Sequence, residues 1–251
     1  GGLRHIDSTL AKKDTEIQIS PSPLTMSTIL LPGDYTDSSN PAVKTGPGFY
    51  KTPLTDPVPV KAGLEVYKEL QSGTFRFIDT NTKRYIPAVR DNVLGVVQSK
   101  HAEGFRVLLQ EASAPIQLGQ FAFANASKKN RVNLPAGAVV YGRIVAADPN
   151  IEPEMECVDS NTGQAGGYGE LKGGNVFNVS LAYARYLLFE GGPVLEAIGE
   201  TVAFEIAIGM NGKVWVNADD LKAVWKITRC IEEGQHWPAD AVVDNVKKIF
   251  S

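Results

Sequence analysis

The stretch Phe204-Glu-Ile-Ala-Ile-Gly-Met-Asn-Gly-Lys-Val-Trp-Val216 decides how the last third of this chain folds. Apolar residues alternate along both sides of Asn211-Gly212, and this dipeptide is a strong signal for a tight β-hairpin turn. The alternation is incompatible with an amphipathic helix on either side. We therefore predict two antiparallel strands joined by a two-residue turn in which both central residues have positive φ.

The same stretch contains Gly209-Met-Asn-Gly212, which matches the GxxG loop with which KH domains clamp a nucleic-acid backbone. A clamping GxxG loop joins two helices, whereas this one lies between two predicted strands. We therefore interpret Gly209, Asn211 and Gly212 as a structural motif, in which glycine supplies the positive φ of a turn. The context indicates a KH-like domain in a nucleic-acid-associated scaffold rather than an enzyme.

The bulk composition limits the classes of function. The 251 residues carry a formal net charge of -3, so any contact with RNA must come from a local basic patch. No apolar run is long enough for a membrane span and no apolar leader begins the sequence, so we expect a location inside the cell. Cys157 and Cys230 lie far apart, and we expect both to be buried thiols.

Composition divides the chain into four segments. Residues 1–25 are polar and typical of a flexible extension, either an unusual one or an artificial addition, since Met26 resembles a natural start. Residues 26–83 are rich in turns and predict a β-rich module with a thin core. Residues 84–162 contain short strands, and residues 163–251 mix helices with strands.

The segment 84–162 has the pattern of a small OB-type barrel, a fold that often binds oligonucleotides. Glycines stand in the middle of two of its predicted strands, at Gly95 and Gly142, where a strand must coil sharply or approach another backbone closely. The predicted strands are Asn92–Ser99, Gly104–Gln110, Ala114–Leu118, Ala138–Ala147 and Glu154–Val158.

The segment 163–251 is predicted to contain four helices around the hairpin. Ser180 caps the first, and Pro238 begins the last. Asn217 is predicted to cap the third helix, with Leu221, Val224, Trp225 and Ile231 as its apolar stripe. The first three helices are predicted over Leu181–Phe189, Val194–Ile198 and Ala218–Glu233. The fold class is therefore multi-domain α+β: an N-terminal β-rich module, an OB barrel and a KH-like domain.

The run Ser127-Lys-Lys-Asn-Arg131 is the strongest candidate for contact with RNA. It lies between the third and fourth barrel strands, and three cations within four residues can neutralise phosphates. An aromatic residue nearby could stack a base, but we expect Phe121 and Phe123 to be mostly buried. The candidate RNA-binding residues are Lys128, Lys129 and Arg131, with Lys83, Arg84 and Arg106 as residues that would widen the patch.

Signals for catalysis are weak. The histidines have no metal-ligand spacing, no G-x-S-x-G motif occurs, and no metal or cofactor is expected. One alternative function remains, a free-standing metal-dependent nuclease or hydrolase. Glu152, Glu154 and Glu156 alternate, so they would line one face of a strand and could hold a divalent ion. A solvated strand face is the simpler interpretation of this row.

Seven phrases of the sequence occur in the same order in a known family. They are Leu31-Pro-Gly-Asp34, Gly46-Pro-Gly-Phe-Tyr50, Lys83-Arg-Tyr-Ile-Pro87, Asp91-Asn-Val-Leu-Gly-Val-Val97, Phe123-Ala-Asn-Ala-Ser-Lys-Lys-Asn-Arg131, Glu154-Met-Glu-Cys157 and Ala207-Ile-Gly-Met-Asn-Gly-Lys-Val-Trp-Val216. Between Met26 and about Glu233 the chain thus resembles the S1/KH cap subunits of the eukaryotic RNA exosome, the homologues of exosome component three.

The resemblance implies an S1-type OB domain and a KH domain in a protein without catalytic activity. Such a protein is one of three cap subunits on a ring of six RNase PH-like subunits. Single-stranded RNA passes through the ring to a separate 3′-to-5′ ribonuclease, for rRNA processing and RNA degradation in the nucleus, nucleolus and cytoplasm. The resemblance also implies that the GxNG motif packs against the S1 domain. As partner contacts we single out Pro32, Gly33 and Trp215, although burial in the core is the other interpretation of Trp215.

Overall fold

The computed structural model describes residues 29–36, 43–45, 49–50, 56–60, 62–70, 73–79 and 84–251. They fall into two compact units, one within residues 13–82 and one within residues 83–251. The predicted extension at residues 1–25 and the candidate Lys83 lie outside the described residues. In the part of the chain that is described, no helix is long and apolar enough to cross a membrane.

The N-terminal unit is a β-rich module, as predicted. Its strands form a sheet in the order β1-β5-β6-β2 and a separate pair β3-β4. The buried Arg76 forms an ion pair with Glu65 on the neighbouring strand, and its guanidinium lies 4.6 Å from the centre of the Phe49 ring. The strands are β1 (Ile29–Leu30), β2 (Val43–Thr45), β3 (Phe49–Tyr50), β4 (Val58–Pro59), β5 (Gly63–Leu70) and β6 (Gly73–Asp79).

A closed five-stranded barrel begins the second unit and confirms the predicted OB fold. The strand order is β11-β9-β8-β7-β10, and β10 pairs with β11 to close the barrel. All neighbours are antiparallel except β9 and β11. The strands are β7 (Asn92–His101), β8 (Gly104–Leu108), β9 (Ile116–Phe123), β10 (Val139–Ala146) and β11 (Glu154–Cys157).

The two glycines in the middle of barrel strands allow backbones to approach closely. A Cβ on Gly95 would lie 2.2 Å from a methyl carbon of Val107, and one on Gly142 would lie 2.4 Å from the Glu156 carbonyl oxygen. Neither position therefore accepts a larger residue without movement of its neighbours. Around these crossings the interior is filled by fully buried side chains, among them Val93, Phe105, Val107, Leu118, Ile144 and Met155.

The KH-like domain has a three-stranded sheet in the order β13-β15-β14 with helices packed on one face. Strand β12 precedes this sheet and pairs with β10 of the barrel, and both β12 and β13 escaped sequence analysis because each is only three or four residues long. The elements are β12 (Gly169–Leu171), β13 (Asn175–Asn178), α1 (Leu181–Glu190), α2 (Gly192–Thr201), β14 (Glu205–Ile208), β15 (Lys213–Asn217), α3 (Leu221–Gly234), a short 3-10 helix (Ala239–Ala241) and α4 (Val242–Phe250).

Helix α3 differs from its prediction in two respects. Asn217 ends β15, paired with Glu205, so the cap is Asp220, whose side chain accepts a hydrogen bond from the Lys222 backbone N–H. The side chains of Leu221 and Trp225 are 72% and 67% exposed, so they do not belong to the apolar stripe. The buried face of the helix includes the predicted Val224 and Ile231. Ile227 and Cys230 complete this face in place of Leu221 and Trp225.

The hairpin is present, but its turn has three residues. Ile208 pairs with Val214, and the Gly209 N–H donates to the Lys213 carbonyl over 2.8 Å. Gly212 has φ of +81°, whereas Asn211 is not among the residues with positive φ. The predicted hairpin and the positive φ of Gly212 are confirmed, and the predicted two-residue turn is wrong. The three-residue loop ending in a left-handed glycine is a common alternative connection.

Replacement of Gly212 by alanine is expected to destabilise the fold. A left-handed alanine costs about 1–2 kcal/mol, and its Cβ would also lie 2.7 Å from the Val179 carbonyl oxygen. Gly137 is the matched control, because it has φ of +89° and a Cβ added there would meet no atom within 4 Å. Denaturant unfolding should show a larger loss of stability for Gly212→Ala than for Gly137→Ala. Equal losses would contradict the role assigned to the contact with Val179.

Candidate nucleic-acid interface

The candidate basic loop lies at one end of the barrel. Because β8 is antiparallel to both β7 and β9, the last residues of β7 and β9 lie at the same end. The turn between β7 and β8 meets β9 there, since the Gln120 N–H donates to the Glu103 carbonyl over 2.9 Å. We call this region, formed by the β7–β8 turn and the connection 124–138, the loop end of the barrel.

The connection presents its lysines on an ordered turn. The backbones of Ser127 and Asn130 exchange two hydrogen bonds of 3.1 Å, and the Ser127 hydroxyl accepts a third from the Asn130 N–H. The Asn130 amide donates to the Asn125 carbonyl over 3.1 Å. Lys128 and Lys129 therefore stand at the exposed tip of a closed turn, with little conformational freedom left in the backbone beneath them.

The three cations of the loop carry charge that the described part of the chain does not neutralise. Lys128, Lys129 and Arg131 are exposed, and none of the ion pairs among the described residues involves them. A surface ion pair would have to be broken before a phosphate could bind, and no such cost applies here. Their role in binding RNA stays a prediction. The exposure of the three side chains is what that prediction requires.

A fourth cation, Lys100, belongs to the loop end and was missed in the sequence. Its ammonium donates to the Asn133 side-chain carbonyl over 2.9 Å and lies 6.0 Å from the centre of the Phe105 ring. Lys100 stands alone near the end of a strand, more than twenty residues before the loop, so its sequence neighbours give no sign of this contact. The pairing of β7 with β10, continued by the bonds of Val97 with Gly137 and Ala138, brings it to the loop.

The expected burial of the two phenylalanines holds for one of them only. Phe123 is buried and packs edge-on against Phe105, but Phe121 is 54% exposed. The cause is a register shift between β9 and β11: Met155 pairs with Leu118, and Cys157 pairs with Phe123. One residue of β11 thus lies opposite four of β9, residues 119–122, and the extra residues of β9 bulge outward with Phe121.

Arg84 and Arg106 do not join the loop cations. Arg106 forms an ion pair of 2.9 Å with Glu152, which also accepts a hydrogen bond from the Gln117 side chain. Arg84 lines a shallow cleft with Gln110, Ala112 and Ser113. Those residues connect β8 to β9, at the barrel end opposite the loop. Arg84 is therefore placed away from the loop, and Arg106 is engaged by Glu152, so the widening of the patch by these two cations stays a prediction.

The acidic row does not converge on a metal site. Glu152 is held by Arg106, and Glu156 forms an ion pair of 2.8 Å with Arg143, while Glu154 is exposed. Within the described ranges no group of three His, Cys, Asp or Glu side chains is placed to hold a metal ion. Two of the three carboxylates are therefore arranged as partners of arginines across the barrel surface.

The Gly209-Met-Asn-Gly212 motif is closed by the barrel. Asn211 is 2% exposed, and its side-chain amide donates to the carbonyls of Leu94 and Leu109, each over 2.7 Å. Its side-chain oxygen accepts the Leu94 N–H over 3.1 Å. A buried side chain with three hydrogen bonds to another domain has no donor left for a phosphate. The packing of this motif against the barrel agrees with what the resemblance implied.

Trp215 is a core residue, which corrects its assignment as a partner contact. It is 2% exposed, packs with Leu94 and Ala207, and donates from its indole N–H to the Gly173 carbonyl over 2.8 Å. No part of this side chain is left for a partner protein. Pro32 and Gly33, by contrast, lie in an exposed turn of the N-terminal unit, and their contact with a partner stays a prediction.

The strongest pKa shifts in the described residues lie in the interior. Burial raises the pKa of Cys157 to about 12 and that of Cys230 to about 11, so both free thiols stay protonated at neutral pH. Burial also raises the pKa of Asp91, whose carboxylate accepts a hydrogen bond of 2.6 Å from the Tyr85 hydroxyl. These groups are typical of a packed polar interior and lie apart from the exposed loop cations.

Comparisons with known proteins agree with this arrangement of domains. A family model described as "Exosome complex component RRP40, S1 domain" matches residues 85–169, and a KH-domain model matches residues 174–222. A solved crystal structure of a candidate exosome complex RNA-binding protein shares the fold, with a TM-score of 0.53 and 17% identity, over 66% of this chain and 97% of that one.

Exosome complex component RRP40 of Saccharomyces cerevisiae is 42% identical over 214 residues, which cover 83% of this chain and 89% of that protein. The Schizosaccharomyces pombe protein of the same name is 40% identical, covering 77% and 81%, and the Homo sapiens one is 34% identical, covering 76% and 69%. The fold and these similarities define a multi-domain S1–KH protein. The chain belongs to the RRP40 family of exosome complex components.

Replacement of Asn211 by alanine should weaken the attachment of the KH-like domain to the barrel. The change removes three buried hydrogen bonds and leaves their backbone partners unsatisfied, at an expected cost of about 2–4 kcal/mol. Denaturant unfolding measures this cost, and Asn150→Ala in an exposed loop is the matched control. Unfolding of Asn211→Ala at the wild-type midpoint would show that the contact is dispensable.

Proposed function

We propose that this chain is a non-catalytic RNA-binding cap subunit of the RNA exosome, a homologue of exosome component three. It stabilises the ring and guides RNA to the channel for 3′-to-5′ processing and degradation. The observation that carries the RNA-binding role is the ordered turn at the loop end, which exposes Lys128 and Lys129, followed by Arg131, without acidic partners among the described residues. Membership of the RRP40 family supports the assembly role.

Single-stranded RNA is the ligand that fits this loop. Each cation that neutralises a phosphate of a single strand contributes about 0.7 to the slope of log K against log salt. Three contacts would thus weaken binding about 20-fold between 50 and 200 mM salt. The negative net charge of the chain does not prevent RNA binding at the loop. At physiological salt the Debye length is about 8 Å, so the charges of distant acidic groups are screened.

The partners we propose are the RNase PH-like ring subunits, the other cap subunits and, indirectly, a 3′-to-5′ ribonuclease, in the nucleus, nucleolus and cytoplasm. The N-terminal unit offers a surface for such contacts around Pro32 and Gly33. Three large apolar side chains, those of Ile29, Leu31 and Tyr35, are exposed beside that turn. Clustered exposed apolar groups are characteristic of protein interfaces. We propose residues 26–83 as this module, with the barrel and the KH-like domain over residues 84–162 and 163–251.

Charge reversal of the loop tests the RNA-binding role. The triple variant Lys128→Glu, Lys129→Glu, Arg131→Glu should bind single-stranded RNA more weakly and flatten the salt slope by about 2, or 0.7 for each phosphate contact removed. The matched control reverses Lys222, Lys247 and Lys248, three exposed lysines of the KH-like domain, so that both variants change net charge equally. Titration of labelled RNA at several salt concentrations measures both quantities.

Two outcomes would contradict the proposal. If the loop variant has unchanged affinity and an unchanged salt slope, the loop is an ordinary solvated turn and does not bind RNA. An equal decrease in the control variant would show that overall charge, and not the loop, governs binding.

The absence of catalysis is tested directly. The purified chain, incubated with labelled single-stranded RNA and Mg²⁺, should leave the RNA intact. Cleavage that persists through purification and disappears in Glu154→Gln would favour the metal-dependent nuclease instead. Glu154 is the residue to change because it is exposed, whereas Glu152 and Glu156 are held by arginines.

A further inference from the structure

The exposed ring of Phe121 is not explained by packing within the described part of the chain. It projects from the outward bulge of β9, and the β7–β8 turn is held beside it by the bond between Gln120 and Glu103. The nearest outward position on β9 is Gly119, which is exposed and pairs with Gly104 on β8. The two facing glycines contribute no side chain to the strand surface next to the ring, and Glu103, Ile151 and Glu154 line a cleft with Gly119.

Phe121 has no other large exposed hydrophobic residue near it in the described sequence, and the exposed Ile151 lines a cleft with Gly119. Among the described residues 99–138 it is the only large hydrophobic residue that is exposed. Protein interfaces use clustered apolar groups, whereas a lone aromatic ring among cations is the arrangement that binds single-stranded nucleic acids. A base is favoured over a partner protein as the group that covers this ring because cations share this end of the barrel with it.

The cations of the loop end stand at the same end of the barrel as the ring. Phe121 precedes the loop by only a few residues, with the Ala126 N–H donating to the Phe123 carbonyl over 3.2 Å. Lys100 is tied to the far side of the same loop through Asn133. Aromatic and cationic groups on one surface can bind a base and its flanking phosphates together.

We infer that Phe121 stacks on an unpaired RNA base while Lys100 and the loop cations bind the adjacent phosphates. This inference rests on the proposed function and names its ligand more closely, as single-stranded RNA with an accessible base face. In a duplex both faces of each base are covered by neighbouring bases, so the ring has nothing to stack on. Phe121 thus makes the loop end selective for single strands, which loop cations alone would not do.

The test measures RNA affinity by fluorescence anisotropy of a labelled uridine or adenosine 12-mer and of a matched RNA duplex with the full chain. Phe121→Leu keeps an apolar side chain and removes the ring, and should weaken single-strand binding about 5-fold or more while leaving the duplex unaffected. Its salt slope should stay unchanged. Phe121→Trp should retain the affinity, and the indole fluorescence should be quenched when RNA binds.

Two further variants separate stacking from other effects. Lys100→Met should lower the salt slope by about 0.7, the change expected for one phosphate contact on a single strand. Trp225→Leu removes another exposed aromatic side chain, on helix α3, and should change neither affinity nor slope. Weaker binding in the Trp225 control would mean that the Phe121 effect is not specific to the loop end.

The outcomes distinguish this inference from the proposed function. Normal single-strand affinity in Phe121→Leu, together with weak binding in the loop triple variant, would overturn the stacking role and leave the RNA-binding role intact. Normal affinity in both variants would overturn both. Equal weakening of single-strand and duplex binding in Phe121→Leu, or impaired association with other exosome subunits at normal RNA affinity, would also refute base stacking.

Discussion

The side chain of Asn211 is the constraint on which the arrangement of this molecule depends. One buried amide satisfies the backbone of Leu94 on both its N–H and its carbonyl, and reaches the Leu109 carbonyl beyond the end of β8. Only an amide can accept one of these bonds and donate the other two from a single side chain. The hairpin tip of the KH-like domain is thereby fixed in register with the first strand of the barrel.

Strand β15, which follows the hairpin tip, also attaches the KH-like domain to the barrel. Val214 and Val216 point into the core beneath the helices, while Trp215 points to the opposite face and packs with Leu94 of the barrel. Both faces of β15 are therefore buried. One face packs against the helices of the KH-like domain, and the other packs against the barrel. A GxxG loop held in this way lacks the freedom to receive an RNA backbone, so binding must depend on other surfaces of the unit.

Sequence patterns identified the elements well and the tertiary details less well. Alternation and mid-strand glycines located four of the five barrel strands to within two residues, because period and turn chemistry are local properties. The predicted third strand ended at Leu118, whereas β9 continues to Phe123. The errors share a different cause. Asn211 adopts no positive φ because the turn has three residues and ends in Gly212, and Phe121 is exposed because β11 shifts its register on β9. Lys100 reaches the loop through the pairing of β7 with β10. Such effects depend on contacts between residues that are distant in the sequence, and the local sequence pattern does not reveal those contacts.

The site of attachment also determines which end of the barrel is free. The KH-like domain binds at Asn92 and Leu94, near the start of β7, and at Leu109, after the end of β8. Since β7 and β8 are antiparallel, these positions lie at one end and the basic turn lies at the other. The contact that closes the GxxG motif thus leaves the loop end uncovered by the KH-like domain. The proposed RNA-binding residues then belong to an ordered turn on the barrel, where a few cations without ion-pair partners among the described residues would act locally in a chain whose net charge is negative.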